Sequence, residues 1–267
     1  MISIEDSFFI DCNTLIKKDP RVLVRYNPVV VNPNASLMQQ IINTPPPGWE
    51  HVFNKHRKSL ELVCSILNRP ENIDHYPKTP DIFAAFHLCP PENVKVIILG
   101  GTPLSNTFED GVTEATGIAF SGRKLRRMHP TTRVIFEELN RQIPTLRPQI
   151  DGDLSNWLKQ GVFMLDTCLT SHPSRGKVRF WTGFLIAIIE ELLNVYPDMI
   201  LVMWGSEAQD FVSNNLVKQA QNARILQCGY PSSYSGGPTG FKFSNHFAEI
   251  NNILTERGEY PIDFNTH

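Results

Sequence analysis

The run Val94-Lys-Val-Ile-Ile-Leu-Gly-Gly-Thr-Pro-Leu-Ser105 constrains this chain more than any other stretch. A short, continuous aliphatic segment closed by turn residues is what a strand covered on both faces looks like, and such strands build parallel sheets. In open α/β sheets, ligands bind in the crevice beyond the carboxyl ends of the strands. Gly100 to Ser105 is therefore the first place to look for chemistry. It offers two hydroxyls, Thr102 and Ser105, but no carboxylate, imidazole or thiol.

Three more segments read as strands: Val162 to Leu165, Met199 to Met203, and Arg224 to Gln227. Each ends in a polar or glycine-bearing turn. Apolar spacing, caps and breakers predict helices over 49–67, 81–89, 132–141, 152–159, 181–194, 206–220 and 246–257. Strands alternating with helices imply a doubly wound α/β arrangement. At 267 residues and 41% hydrophobic, the chain suits one such domain over 45–267, preceded by an accessory arm over 1–44. The arm is punctuated by Pro-containing stretches, with a short helix expected from Ser36 to Ile42.

A formal net charge of -2 leaves no global basic field, so any nucleic acid must be held by a local surface. Arg123, Lys124, Arg126 and Arg127 form the candidate patch, read equally well as a solvated loop. The helix that follows, opening at His129-Pro-Thr-Thr, could hold an anion on its free amides. Five cysteines are scattered without a C-x-x-C pair, which reads as free thiols in a reducing compartment and gives no metal site. No apolar run reaches transmembrane length, and the start of the chain lacks a signal-peptide layout. An intracellular protein with no cofactor is expected.

Four strand-end segments, taken in order and spacing, resemble the family I uracil-DNA glycosylases. They are Val96 to Ser105; Gly152-Asp-Leu-Ser-Asn-Trp-Leu-Lys-Gln-Gly-Val-Phe-Met-Leu-Asp-Thr-Cys-Leu-Thr; Leu201-Val-Met-Trp-Gly-Ser-Glu-Ala-Gln; and Tyr230-Pro-Ser-Ser-Tyr-Ser with Phe243-Ser-Asn-His and Pro261-Ile-Asp-Phe. The resemblance runs from about Trp49 to Phe264. It implies a single α/β domain with a central four-stranded parallel sheet flanked by helices, DNA bound across the strand ends, and a nuclear location if the source is eukaryotic or viral.

The departures carry most of the information. The family motif Gly-Gln-Asp-Pro-Tyr-His reads here Gly100-Gly101-Thr102-Pro103-Leu104-Ser105. Thr102 stands where the resemblance expects the aspartate that orients water and stabilises the cationic sugar, and a neutral hydroxyl supplies no such charge. Leu104 replaces the tyrosine that bars a 5-methyl group, and Gly101 replaces a glutamine. Tyr230 stands for the histidine that bonds the uracil oxygen. Asp166 stands for the asparagine that reads the base edge, and an ionised carboxylate accepts without donating, favouring an amino group over a carbonyl. Tyr234 aligns with the wedge leucine that fills the stack when a base is flipped out.

Other positions are kept. Phe120 matches the aromatic that stacks on the base, Gly205 and Ser206 a phosphate-gripping loop, and Thr131 and Ser232 two further backbone contacts. The bland readings are core packing for Phe120 and a plain helix cap for Gly205-Ser206. Three functions follow as expectations: a module degenerate for uracil excision and kept for DNA or protein binding; a glycosylase with altered base choice; or a scaffold whose residues 1–44 dock a replication or repair protein.

Overall fold

The computed structural model describes residues 44–265, except 73, 144–148, 150, 175, 178, 233–236 and 238. The expected arm, its Ser36 to Ile42 helix, Cys12 and Tyr234 lie outside the described residues.

Helices α1 (Glu50–Lys55), α2 (Arg57–Leu67) and α3 (Ala84–Leu88) precede strand β1 (Val96–Gly100). Helices α4 (Pro130–Gln142) and α5 (Ser155–Leu158) lead to β2 (Val162–Asp166), followed by the short strands β3 (Ser171–His172) and β4 (Gly176–Lys177). Next come α6 (Thr182–Val195), β5 (Ile200–Trp204), α7 (Ser206–Asn215), β6 (Arg224–Cys228) and α8 (His246–Glu256). The main sheet has the order β2-β1-β5-β6, and every pairing is parallel. The chain steps from β1 to β2 on one side, then crosses to β5 on the other. That makes the β1/β5 boundary the topological switch point, where open sheets of this order bind ligands.

The expected α/β architecture with a central four-stranded parallel sheet is present. Burial explains why the strand runs are legible: every residue of β1, β2 and β5 is buried, whereas β6, at the sheet edge, exposes Arg224, Ile225 and Gln227. Val96, Ile97, Ile98 and Leu99 are at most 1% exposed. All four tryptophans are fully buried, and each indole N–H finds an acceptor: Cys89 O for Trp49, Phe264 O for Trp157, Thr170 Oγ1 for Trp181 and His246 Nδ1 for Trp204. Such pairing lets a large aromatic enter the core without an orphaned donor.

Several helix limits differ from those expected. The 49–67 helix breaks at His56, whose φ of -102° and ψ of 20° fall outside helical geometry. The 81–89 helix shrinks to a 3-10 turn and five α residues, ended by Cys89 before Pro90 and Pro91, since a residue preceding proline avoids the α region. The 206–220 helix stops at Asn215, with Leu216 at φ -127°, and a separate 3-10 turn covers Gln219–Asn222. The β3/β4 pair was not expected, because two-residue strands carry no periodicity.

Cys64, Cys89, Cys168 and Cys228 are buried free thiols, and burial pushes those of Cys64 and Cys228 up to about 12. Among the described residues, no helix is long and apolar enough to cross a membrane, and no three His, Cys, Asp or Glu side chains gather as a metal site requires.

Candidate functional site

The carboxyl ends of β1 and β2 lie in register, Gly100 beside Asp166. Above them opens a cleft of about 340 Å³, counting its open mouth, walled by Thr102, Leu104, Phe120, Asp166 and Tyr230 with the 115–118 turn. Five of the residues expected from sequence thus meet in one place. Gly100 lets them approach: a Cβ there would sit 2.5 Å from Asp166 Oδ1 and 2.8 Å from the Phe120 ring. Phe120 itself has φ +62°, a left-handed conformation that costs a non-glycine residue about 1–2 kcal/mol. Thr132 Oγ1 donates to its carbonyl at 2.6 Å, and its ring packs against Trp204 and Tyr230 with centroids 5.3 and 5.9 Å away. Phe120 is both a buried core residue and a wall of the cleft.

Tyr230 follows β6 and lies over Gly205. With φ +101° and ψ 159°, Gly205 occupies a region open essentially to glycine alone, and a Cβ there would come within 3.2 Å of Tyr230 Cβ and Cδ2. Tyr230 is 40% exposed as a residue, but its hydroxyl turns inward to Thr131 Oγ1 at 3.4 Å. Burial of that hydroxyl raises its pKa, the Thr131 bond pulls the other way, and the charges of Asp166 and Glu207 raise it further. The phenol is a neutral donor at physiological pH. Thr131 is itself buried, and its amide donates to His129 Nδ1 at 3.2 Å. The first turn of α4 is therefore partly closed by its own cap.

Sequence reasoning missed Glu207. The turn after β1 lacks a carboxylate of its own, but the first turn of α7 brings one to it: Thr102 Oγ1 donates to Glu207 Oε2 at 3.1 Å. Gly101 makes the space, since a Cβ there would lie 2.5 Å from the same oxygen. On the other side, Thr167 secures the turn, its amide donating to Gly100 O at 3.1 Å and its hydroxyl to Gly101 O at 2.8 Å. The signal available in the sequence was the position of Glu207, two residues after the glycine that ends a strand.

Around the cleft, Ser206 is exposed at the start of α7, Gly205 is buried beneath Tyr230, and Ser232 is half-buried. The basic stretch divides. Arg123 is structural: its guanidinium bonds Asp81 Oδ2 at 2.6 Å, Ala115 O at 2.9 Å, and Thr113. Arg126 pairs with Asp110. Lys124 and Arg127 are exposed.

A parallel sheet with a walled cleft at the strand ends defines an α/β protein whose cleft lies at the carboxyl edge of its sheet, where open sheets of this kind bind ligands. Comparison with known proteins narrows this class. Residues 86–255 match the model of the uracil DNA glycosylase superfamily. The uracil-DNA glycosylase of Campylobacter jejuni is 34% identical over 213 residues, covering 77% of this chain and 86% of that protein. The uracil-DNA glycosylase of equine herpesvirus 1 is 30% identical over 229 residues, covering 82% of this chain and 68% of that one. The crystal structure of mimivirus uracil-DNA glycosylase superposes with a TM-score of 0.71 at 25% identity, covering 82% of this chain and 86% of that one. The chain belongs to the uracil DNA glycosylase superfamily.

Proposed function

We propose that this protein binds DNA across the carboxyl edge of its sheet, receives an extruded nucleotide in the cleft, and removes uracil far more slowly than a site with aspartate at position 102 and histidine at position 230. The supporting observation is the make-up of the wall, which carries the hydroxyls of Thr102 and Tyr230 and the carboxylate of Asp166, with no imidazole among the described residues lining it. In glycosidic hydrolysis the C1′–N bond breaks with its electron pair leaving on the base, while a water oxygen bonds to C1′. The departing base gains negative charge and the sugar gains positive charge. Tyr230 can donate one neutral hydrogen bond to the first, and Thr102 can hold a water for the second without bringing charge of its own. Loss of one preorganised group of this kind costs about 10²–10³ in rate, and two losses within one site do not simply multiply.

DNA would be gripped through its phosphates by the α7 amino terminus at Gly205 and Ser206, by Ser232, and by the exposed Lys124 and Arg127. Tyr234 is proposed as the plug that fills the stack. Residues 1–44 are proposed as an arm, separate from the 45–267 domain, that docks a replication or repair protein. Its deletion should abolish partner pull-down and leave DNA binding intact.

The buried Asp166 favours a second reading, a glycosylase of altered base choice. Its carboxylate would accept from an exocyclic amine, and Leu104 leaves the neighbouring wall apolar. A paired gel-shift and single-turnover excision assay tests both readings. The first expects duplex binding with negligible uracil release, rising in the Thr102→Asp, Tyr230→His double variant when Glu207→Gln spares the new aspartate a facing carboxylate. Rapid uracil release that Thr102→Ala abolishes would overturn it, and cleavage of a cytosine-type base in a modified-base panel would establish the second.

A further inference from the structure

We infer that Glu207 is the anion of this site, supplying from α7 the negative charge beside the sugar that position 102 lacks. Three observations carry this. Its carboxylate is fixed at the end of β1 by the hydroxyl of Thr102, 3.1 Å away, and Thr102 is itself a wall of the cleft. Glycine at position 101 lets the carboxylate lie against the turn; a Cβ there would come within 2.5 Å of Oε2 and 3.2 Å of Cδ, and the exposed Glu207 side chain would have to turn away. Its charge, after that of Asp166, adds to what raises the pKa of the Tyr230 hydroxyl. Glu207 and Thr102 follow β5 and β1, the two strands that meet at the topological switch point, so the fold brings together groups 105 residues apart.

The chemistry follows from this placement. A sugar whose C1′–N bond is breaking develops positive charge on C1′ and its ring oxygen, and a fixed carboxylate nearby stabilises that charge more than it stabilises the neutral ground state. Thr102 is the positioning residue: its hydrogen is spent on Glu207, which leaves its oxygen lone pairs to accept from a water in the cleft. With glycine at 101 and glutamate at 207, the anion sits on the neighbouring helix rather than in the turn.

The inference rests on the proposal that a nucleotide enters the cleft, and binding measurements separate the two. Fluorescence anisotropy would compare three otherwise identical duplexes: one intact, one carrying a neutral tetrahydrofuran abasic analogue, and one carrying a pyrrolidine analogue whose ring nitrogen is protonated at neutral pH. The wild-type protein should bind the pyrrolidine duplex about tenfold more tightly than the tetrahydrofuran duplex, the range expected of a hydrogen bond or contact to a charged group. Glu207→Gln should bring that ratio to about one, whatever it does to the affinity for the tetrahydrofuran duplex, and Glu207→Asp should keep part of it. A purely structural role would move both affinities together. A wild-type ratio near one, or a ratio that survives Glu207→Gln and falls in Asp166→Asn, overturns the inference. If the tetrahydrofuran duplex binds no better than the intact one, the proposal of nucleotide entry fails instead.

Discussion

His246 should make this protein less stable in acid. It opens α8, is 6% exposed, and its Nδ1 accepts the Trp204 indole N–H at 3.1 Å with Cys228 Sγ 3.8 Å away. A proton on Nδ1 would leave a buried indole donor facing a second donor. Burial lowers the imidazole from 6.5 to about 4, with Glu138 pulling weakly in the other direction. The gap of about 2.5 pH units corresponds to about 3 kcal/mol at 1.36 kcal/mol per unit. Because the folded-state value is the depressed one, this stability is fully present above pH 6.5. It drains away as pH falls toward 4, where the unfolded chain binds a proton that the folded one refuses. Urea unfolding across pH 7 to 4 measures it, with His246→Gln as the control, since a glutamine carbonyl can still accept from the indole but does not titrate. Burial also lowers His75, His87 and His129, but those groups act in both proteins and cancel in the comparison. Wild type should lose about 3 kcal/mol more than the variant over this range, a large part of a typical domain's 5–15 kcal/mol. Parallel pH curves would refute the reasoning.

Other substitutions separate structural roles from surface ones. Gly205→Ala forces a side chain into a conformation open essentially to glycine and against Tyr230, so it should cost about 1–3 kcal/mol by urea unfolding and move the Tyr230 ring off Phe120, seen as a change in near-ultraviolet circular dichroism. Arg123→Ala strips the 113–115 turn and Asp81 of their shared partner and should cost about 1–3 kcal/mol, with the salt dependence of DNA binding unchanged. Lys124→Ala and Arg127→Ala should do the reverse, each lowering the slope of log affinity against log salt by about 1 while leaving the melting temperature in place.

The sheet was legible because strands buried on both faces leave little choice of residue: the runs at 96–99, 162–165 and 200–204 are apolar throughout and closed by turn chemistry. Helix limits were less so, since what ended them was a local backbone angle at His56 or Leu216 that no spacing rule encodes. Within the site, Thr102, Leu104, Phe120, Asp166 and Tyr230 were legible through the family resemblance, because their motifs keep their order and spacing along the chain. Arg123 was grouped with Lys124 by proximity in sequence, although its guanidinium turns inward to Asp81 while its neighbour faces solvent. Glu207 was lost for the converse reason. A carboxylate on the first turn of a helix reads as an ordinary dipole-complementing residue, and what gives it another meaning is the adjacency of β1 and β5. That adjacency is a property of strand order, fixed only when the chain crosses from β2 over β1. Reading position 102 alone makes the crevice look stripped of charge. Positions 101, 102 and 207 together put a glycine, a donating hydroxyl and an accepting carboxylate side by side at the end of β1, and the proposed role of Glu207 rests on that juxtaposition, which exists only once β5 lies beside β1.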